Sequence, residues 1–244
     1  MTLGDQGCHI PSMTKTKPKK TNPQKTSPKK TSPKKTSPKK TKPRDPVRQI
    51  CVYCGSSPGT DTAFITAAQT FGQILAENEI GLVYGGGSGG LMGALASAVL
   101  DHGGRVAGII PEFLKARERM FKGAQEIVVT SDMHERKRVM FERADAFVAL
   151  PGGIGTLEEL VEQLTWAQLG RHRKPIVIAN IKGFWNAFLQ VIGHMKDRGF
   201  IHNGGLLNYH VVERVEDILP TLLAAPAADT MEERVAEAEV MKRM

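Results

Sequence analysis

The sequence predicts an α/β fold over residues 47–224, with a doubly wound (Rossmann-like) parallel sheet and helices on both of its faces. From residue 47 onward, short apolar runs alternate with amphipathic stretches, which is typical of repeated strand–helix units. The apolar runs are short and nearly continuous, as expected for strands that helices cover on both sides. Three of these runs lead directly into loops rich in glycine, where parallel sheets commonly bind ligands.

Seven strands and six helices follow from these patterns. The predicted strands are the short apolar runs, and they cover residues 49–53, 81–84, 105–110, 126–130, 146–150, 175–179 and 211–212. The predicted helices have apolar residues spaced three and four apart, and they cover residues 62–78, 90–102, 133–144, 156–169, 184–198 and 215–224. Residues 225–244 are predicted to be a linker followed by a short charged helix.

A Lys- and Pro-rich tail, residues 1–46, precedes this predicted domain. It is an array of Thr-x-Pro pentapeptides, three of which, at 26–30, 31–35 and 36–40, have the full sequence Thr-Ser-Pro-Lys-Lys. Proline at every fifth position is incompatible with a helix, and the lysines repel one another. The tail is therefore predicted to be disordered.

The positive charge of the chain is confined to this tail. The whole chain of 244 residues has a formal charge of +8, but residues 1–46 carry 13 Lys and Arg against two Asp, or +11, which leaves −3 for the remainder. Two interpretations stay open: nonspecific nucleic-acid contact through residues 15–44, as the composition resembles linker-histone tails, and a solubilising leader or a misplaced translation start. Residues 14–46 contain no aromatic side chain, so contact by base stacking is excluded.

Composition also excludes several classes of protein. Apolar residues make up 41% and charged residues 24%, which is close to globular averages. No apolar stretch approaches the roughly 20 residues that a bilayer requires, and no secretory signal is recognisable, so we expect no membrane contact and a cytoplasmic location. Three cysteines in such a chain do not predict a disulfide framework.

Three loops at predicted strand ends carry the signal for ligand binding. They are Cys-Gly-Ser-Ser at 54–57, the glycine-rich run at 85–93 and Pro-Gly-Gly-Ile-Gly-Thr-Leu-Glu-Glu at 151–159. The last two loops open a helix, where free N–H groups and glycine backbone can surround an anion. Two such anion cradles on one rim predict a phosphorylated ligand, contacted from the first two loops by Gly55, Ser56, Gly86, Gly87 and Ser88.

Two other nucleotide motifs fit less well. Gly85, Gly87 and Gly90 satisfy the G-x-G-x-x-G pattern, but the loop follows the second predicted strand and the third ends in Ile-Ile-Pro, with Glu112 close by. A nicotinamide or flavin enzyme is thus disfavoured without being excluded. Leu91 stands where a P-loop requires lysine, which excludes that motif.

A basic segment, Met-His-Glu-Arg-Lys-Arg at 133–138, begins the helix after the fourth strand. For Arg136 and Lys137 we favour contact with the ligand, since a phosphate needs countercharge and a guanidinium can bind it bidentately. Arg138 is better explained as part of a solvated helix face. His134 could also touch the ligand.

Together, these four motifs resemble the Lonely Guy family, the cytokinin-activating phosphoribohydrolases. The resemblance covers essentially residues 47–223 and excludes the basic tail. It implies hydrolysis of the N-glycosidic bond of an N6-substituted adenosine 5′-monophosphate, or of AMP, to the free base and ribose 5-phosphate. Relatives often carry a lysine decarboxylase label, but the sequence offers no identifiable lysine for pyridoxal phosphate. No metal or other cofactor is implied, whereas a homodimer or larger homo-oligomer is.

The resemblance also implies the site residues. Phosphate contacts fall on Gly153, Ile154, Gly155 and Thr156, with Gly152, Leu157 and Glu158 completing the substrate-binding motif. Arg136 and Lys137 contact the nucleotide, Arg136 with a catalytic role, and Glu159 acts at the ribose. Glu118 corresponds to a further substrate-contacting acid.

The chemistry of the reaction calls for such a set independently. Loss of a purine from ribose passes through an oxocarbenium-like state, which a carboxylate near the sugar can stabilise while it orients or deprotonates water. Glu158 and Glu159 point about 100° apart on a helix, so they are not expected to share this role. We assign catalysis to Glu159, whereas Glu158 is better explained as a complement to the helix N-terminus.

The remaining candidates predict structure rather than chemistry. Cys51 and Cys54 resemble a C-x-x-C pair, but a spacing of three on a strand sends their side chains to opposite faces. Trp166 and Trp185 are expected in the core or at a subunit contact. The sequence therefore leaves three hypotheses, which are a phosphoribohydrolase, a noncatalytic nucleotide-binding or sensor protein on the same fold, and a DNA-binding role for the tail.

Overall fold

The computed structural model describes residues 47–115, 120–201 and 209–225. Their strands are β1 Gln49–Tyr53, β2 Gly81–Tyr84, β3 Val106–Pro111, β4 Glu126–Thr130, β5 Ala146–Ala149, β6 Ile176–Ala179 and β7 Tyr209–Val212. Their helices are α1 Thr62–Glu77, α2 Gly90–Asp101, α3 Met133–Arg143, α4 Ile154–Gln168, α5 Asn186–Asp197 and α6 Ile218–Ala224. Short 3₁₀ helices occur at Glu112–Leu114, Ile181–Gly183 and Val215–Asp217.

The strands form one parallel sheet in the order β4-β3-β2-β1-β5-β6-β7. The chain builds outward from β1 to one edge, then returns to β1 and builds to the other edge. Tyr53 of β1 lies opposite Ala149 of β5, so the two strands end side by side. The order of the strands reverses at this pair, and ligands of doubly wound sheets bind beyond the carboxyl ends of the strands at such a point. The predicted doubly wound α/β fold is confirmed.

Two apolar cores lie on the two faces of the sheet. Ile50, Val52 and Cys54 belong to the core beneath α1, α2 and α6, whereas Cys51 and Tyr53 belong to the core on the other face. The side chains of β1 alternate between the two cores, as the period of a strand requires. Cys51 and Cys54 therefore face apart, as predicted.

The predicted elements differ from the structure chiefly at their ends. α4 begins at Ile154, two residues before the predicted start, with Gly153 as its N-cap. The segment predicted as a helix from residue 184 begins at Asn186, after a 3₁₀ turn in which Lys182 has φ 54°. β7 covers four residues rather than two.

Three predictions lie partly or wholly outside the described residues. The tail 1–46 and the segment 226–244 are among them, and so is Glu118. Over the three described ranges, no helix combines the length and apolar character that crossing a membrane would need.

Candidate functional site

Three of the predicted loops meet at Gly55, directly after β1. The N–H of Gly55 donates to the carbonyl of Pro151 at 3.0 Å, which ties the first loop to the loop after β5. The carbonyl oxygen of Gly55 accepts from the N–H groups of Leu91 and Met92 at 3.0 and 3.2 Å. The predicted loops therefore share one rim, at the point where the order of the strands reverses.

The second glycine loop packs closely against the backbone of the first loop. Gly90 has φ +56°, and a Cβ at this position would lie 2.5 Å from the backbone nitrogen of Ser57. Because Leu91 and Met92 already donate to Gly55, two of the N–H groups at the start of α2 are not available to an anion. For the remaining groups of this loop, the anion cradle stays a prediction. Sequence patterns could not show that these two groups are occupied, since the acceptor comes from a residue more than thirty positions earlier.

Residues 86–88 of this loop also make contacts within the protein. Gly86 and Gly87 are buried, and the carbonyl of Gly86 accepts from the N–H of Phe121 at 3.0 Å. Gly86 has φ +78°, and a Cβ there would lie 3.1 Å from the Cβ of Ile110. Ser88 is partly exposed. As substrate contacts, Gly86, Gly87 and Ser88 stay predictions.

The start of α4, in contrast, is open. Gly153, Ile154 and Gly155 are exposed, and the first helical hydrogen bond runs from the N–H of Leu157 to the carbonyl of Gly153 at 3.0 Å. The earlier N–H groups of a helix have no acceptor within it, and the helix dipole adds partial positive charge there. This end of α4 has the features of an anion site.

Glycine occupies the positions of this loop for different physical reasons. A Cβ at Gly153 or Gly155 would meet no atom of the described residues within 4 Å, and neither glycine has a positive φ. Neither packing nor backbone conformation therefore requires glycine at these two positions, which leaves close approach of a ligand as a reason. Gly152 differs, since a Cβ there would overlap the hydroxyl of Thr156 and lie 2.8 Å from the nitrogen of Gly55.

A buried ion pair lies beside this open end. The Nη2 atom of Arg136 is 3.4 Å from Oε1 of Glu159, and the two side chains are only 8% and 10% exposed. Arg136 also donates from Nε to the carbonyl of Ile109 at 3.2 Å. The two residues predicted to be catalytic are thus in contact, on α3 and α4. Glu159 lies one turn along α4 from Gly155.

Capping hydrogen bonds hold the start of α3, the helix that carries Arg136. Asp132 is the N-cap, and its carboxylate accepts from the N–H of Glu135 at 2.8 Å. The carboxylate of Glu135 in turn accepts from the backbone and hydroxyl of Ser131 at 2.7 and 2.8 Å. This reciprocal capping stabilises the first turn of the helix. The hydrogen bond from Glu135 lowers the pKa of Asp132, and those from Ser131 lower the pKa of Glu135, so both carboxylates stay charged at neutral pH.

Lys137 makes a different contact from the one predicted. Its Nζ lies 2.7 Å from Oε1 of Glu158 and 3.0 Å from Oε1 of Glu162, both on α4. Burial acts to lower the pKa of Lys137, but the hydrogen bonds to the two carboxylates raise it overall above the ordinary 10.5. The ammonium group of Lys137 therefore links α3 to α4, and its charge is already paired with two carboxylates. A role for Lys137 and Glu158 in substrate binding stays a prediction.

The thiols near Glu159 are poorly suited to chemistry. Burial, aided by the negative charge of Glu159, strongly raises the pKa of both Cys51 and Cys54. Thiols kept protonated are neither nucleophiles nor metal ligands. In the described part of the chain, no three His, Cys, Asp or Glu side chains are grouped as a metal would require.

The other candidates are placed as follows. Arg138 is exposed and lies 3.9 Å from both Glu135 and Glu142, which confirms the solvated helix face. His134 is exposed. Trp166 packs edge-on against Phe141 at 5.0 Å between ring centres, so it is part of the packing between α3 and α4.

Sequence reasoning missed two parts of the site. One is the carbonyl of Ile109, which holds Arg136, because a hydrogen bond from a helix side chain to the backbone of a strand leaves no sequence signal. The other is Gly85, which lies against the guanidinium of Arg136. Gly85 was part of a recognised glycine pattern, but the pattern suggested a different ligand contact.

The fold and the site together define a class. It is that of doubly wound α/β proteins with an exposed, glycine-rich helix start at the switch point of the sheet, here flanked by a buried arginine–glutamate pair.

Comparison with known proteins identifies the family within this class. A family model described as "Possible lysine decarboxylase" matches residues 92–222. The probable cytokinin riboside 5′-monophosphate phosphoribohydrolase LOG4 of Oryza sativa subsp. japonica is 45% identical over 184 residues, which are 75% of this chain and 80% of that protein. Cytokinin riboside 5′-monophosphate phosphoribohydrolase LOG7 of Arabidopsis thaliana is 52% identical over 155 residues, 63% of this chain and 71% of that protein. The chain belongs to the Lonely Guy family.

A solved structure shows the same fold. The molybdenum cofactor carrier protein MCP of Chlamydomonas reinhardtii superposes with a TM-score of 0.55 at 22% identity, covering 73% of this chain and 99% of that chain. At this level of identity the likeness concerns the fold alone.

Proposed function

We propose that this protein hydrolyses the N-glycosidic bond of N6-substituted adenosine 5′-monophosphates, or of AMP, to the free base and ribose 5-phosphate. The observation that carries the proposal is the contact between Arg136 and Glu159 beside the open start of α4. The activity printed in the names of the plant relatives supports it. As a cytokinin-activating step, this reaction converts a nucleotide precursor into the free base.

In this proposal, the start of α4 binds the 5′-phosphate. The backbone of Gly153, Ile154 and Gly155 is exposed there, and the absence of side chains on the two glycines lets an anion come close to the N–H groups. The buried hydroxyl of Thr156 lies on the same turn. The open start of α4 suits one phosphate group, whereas at the start of α2 the N–H groups of Leu91 and Met92 are already bonded to Gly55.

Glu159 then acts at the sugar. It lies one turn further along α4 than Gly155, and in this proposal the ribose extends toward it from the phosphate at the helix start. As the bond to the purine breaks, positive charge develops at the sugar, and the carboxylate of Glu159 stabilises it and orients the attacking water. The hydroxyl of the water bonds to C1′ as the bond from C1′ to the purine nitrogen breaks. The proton of the water goes to the departing purine. Arg136 holds the carboxylate in place and limits its negative charge before the reaction.

Substitution of Glu159 by glutamine tests this role. Glu159→Gln keeps the size of the side chain but removes its charge, so we expect release of base from AMP and N6-isopentenyl-AMP to fall by about 10²- to 10⁴-fold. Binding of the nucleotide, measured by calorimetry, should largely survive. Glu142→Gln is the matched control, since Glu142 is exposed on α3 and should leave activity unchanged.

The same assay separates the second hypothesis. A noncatalytic nucleotide-binding or sensor protein would bind AMP without releasing base, even over long incubation with the unmodified chain. That result would reject the proposed hydrolase. Full activity of Glu159→Gln would reject the assignment of Glu159 while keeping the reaction.

We also propose that the chain forms a homodimer or a larger homo-oligomer. Several large apolar side chains are exposed on α4 and α5 and at the residue directly after α4, and the two helices lie on the same face of the sheet. They are Val161 (41% exposed), Leu169 (76%), Val191 (50%) and Met195 (41%). A second copy would remove this surface from water. Sedimentation equilibrium at micromolar concentration measures the assembly, and a monomeric mass would contradict the proposal.

A further inference from the structure

Gly85 lies where the side chain of any other residue would meet Arg136. It follows β2 directly and is buried. A Cβ built on Gly85 would overlap Nη2 of Arg136 and lie 3.5 Å from its Cζ atom. The φ of Gly85 is not in the left-handed region, so its backbone conformation does not require glycine. The contact with the guanidinium is what the missing side chain permits.

Four residues surround the guanidinium, and we name them the Arg136 seat: Gly85, Ile109, Met133 and Glu159. The carbonyl of Ile109 accepts from Nε at 3.2 Å, and the sulfur of Met133 lies 3.7 Å from Nη1. Oε1 of Glu159 lies 3.4 Å from Nη2, the atom that also touches the space above Gly85. A group inserted at Gly85 would therefore push directly on the nitrogen that faces Glu159.

We propose that Gly85 is a positioning residue for catalysis, which leaves the space that lets Arg136 reach Glu159. This inference rests on the proposed function, because its effect on rate requires a reaction at Glu159. Gly85 itself contacts no reacting atom in this account. It acts through the guanidinium, whose placement decides the position and charge of the carboxylate.

A methyl group at Gly85 should change the site more than the fold. The overlapping atom is the end of a long side chain, and the other close atom, the sulfur of Met92 at 3.2 Å, also ends a flexible one. Both can move without displacement of the backbone. The pair of Arg136 and Glu159 cannot keep its geometry when Nη2 moves, and misplacement of a catalytic group by about 1 Å can cost on the order of 100-fold in rate.

The test compares Gly85→Ala with Gly81→Ala, a change of the same kind at the first residue of β2, the strand that Gly85 follows. A Cβ at Gly81 would lie 3.4 Å from Cγ of Gln49, which is ordinary contact. For Gly85→Ala we expect kcat for base release from AMP to fall by about 10- to 100-fold, with kcat/KM falling in parallel and KM little changed. A crystal structure of this variant should show Nη2 of Arg136 more than about 4 Å from Glu159, beyond an ion pair. Gly81→Ala should match the unmodified protein in both respects.

Each outcome decides the proposal. Equal kcat for the two variants, or an unchanged pair of Arg136 and Glu159 in the Gly85→Ala crystal, overturns it. If Gly85→Ala is too unstable to assay, the double variant Gly85→Ala with Arg136→Lys tests the proposal. Lysine has no Nη2 atom with which the new methyl group could collide. If the double variant melts at the same temperature as the Arg136→Lys single variant, the collision is supported. If it melts well below that temperature, the collision is rejected. If the unmodified protein releases no base, the proposed function fails, while the crystal structure still tests the placement of Arg136.

Discussion

Arg136 and Lys137 are adjacent in the sequence, but their side chains have different partners. Adjacent residues on a helix point about 100° apart. Arg136 therefore reaches under β3 toward Glu159, and Lys137 reaches the outer carboxylates Glu158 and Glu162. The basic segment predicted ligand contacts for Arg136 and Lys137, and these stay predictions. It could not predict which base pairs with which acid, since that depends on where α4 lies beside α3.

Glu126 and Arg143 form a surface pair whose contribution depends on pH. Nη1 and Nη2 of Arg143 lie 2.7 and 2.8 Å from the two carboxylate oxygens of Glu126, which joins the edge strand β4 to the last turn of α3. The hydrogen bonds from Arg143 lower the pKa of Glu126 below its ordinary 4.5. A carboxyl whose pKa is lowered on folding stabilises the protein above its unfolded pKa, and this stabilisation is lost as the pH falls through the folded value.

Glu126→Gln should therefore lower the free energy of unfolding at pH 7 by no more than about 0.5 kcal/mol, since the pair is largely exposed and screened. The difference from the unmodified protein should be complete above about pH 4.5 and vanish well below it. Urea unfolding at a series of pH values measures it. A difference that persisted undiminished in strong acid would show that the ion pair is not its cause.

The start of α4 shows why helix ends are hard to predict. Glycine is unfavourable in a helix, so the sequence places the start at Thr156, after the last glycine. In the structure the helix begins at Ile154 and includes Gly155. Contacts of α4 with the sheet and with α3 outweigh the low propensity of one residue. The open space at Gly153 and Gly155, which no pattern of residues encodes, became visible only from the coordinates.

Gly155→Ala should make the protein more stable and a poorer enzyme. Alanine in the first turn favours the helix by up to about 1 kcal/mol, but its methyl group occupies the space that we assign to the phosphate. We expect a higher melting temperature together with a KM for AMP raised about tenfold, or roughly 1.4 kcal/mol of binding. Thermal unfolding and steady-state assays measure the two effects.

Gly193→Ala is the control for this prediction. Gly193 lies within α5, and a Cβ there would also meet no atom of the described residues within 4 Å. It should gain stability in the same way, with no change in KM. A parallel rise of KM in both variants, or an unchanged KM in Gly155→Ala, would argue against a phosphate at the start of α4.

The architecture of the sheet was predictable from sequence because its signals are local. The apolar runs of β1, β2, β5 and β6 are short and continuous, and each of these four strands lies within one residue of its predicted bounds. The site combines groups from β2, β3, α3 and α4, so its contacts depend on distances that no local pattern contains. The four motifs named most of its residues. They did not reveal that the carbonyl of Gly55 occupies two N–H groups at the start of α2.

Charge is divided unequally over the chain, which allows the basic tail to be tested separately. Residues 1–46 carry a formal +11, whereas the rest of the chain carries −3. We expect weak affinity of the full chain for duplex DNA at low salt, with log K falling linearly against log salt by about 0.9 for each phosphate contacted. A chain of residues 47–244 should lose this affinity and keep base release from AMP. Filter binding across a salt series measures it, and DNA affinity that survives the truncation would place the contact elsewhere.

The Arg136 seat takes its members from positions 85, 109, 133 and 159, which belong to both halves of the doubly wound sheet. A fragment or a partly folded intermediate that lacks either half would have no complete seat. Turnover of AMP should consequently report, in an all-or-none way, whether both halves of the sheet have folded. Denatured samples should lose it in step with the cooperative unfolding of the whole sheet, rather than through early fraying of a single loop.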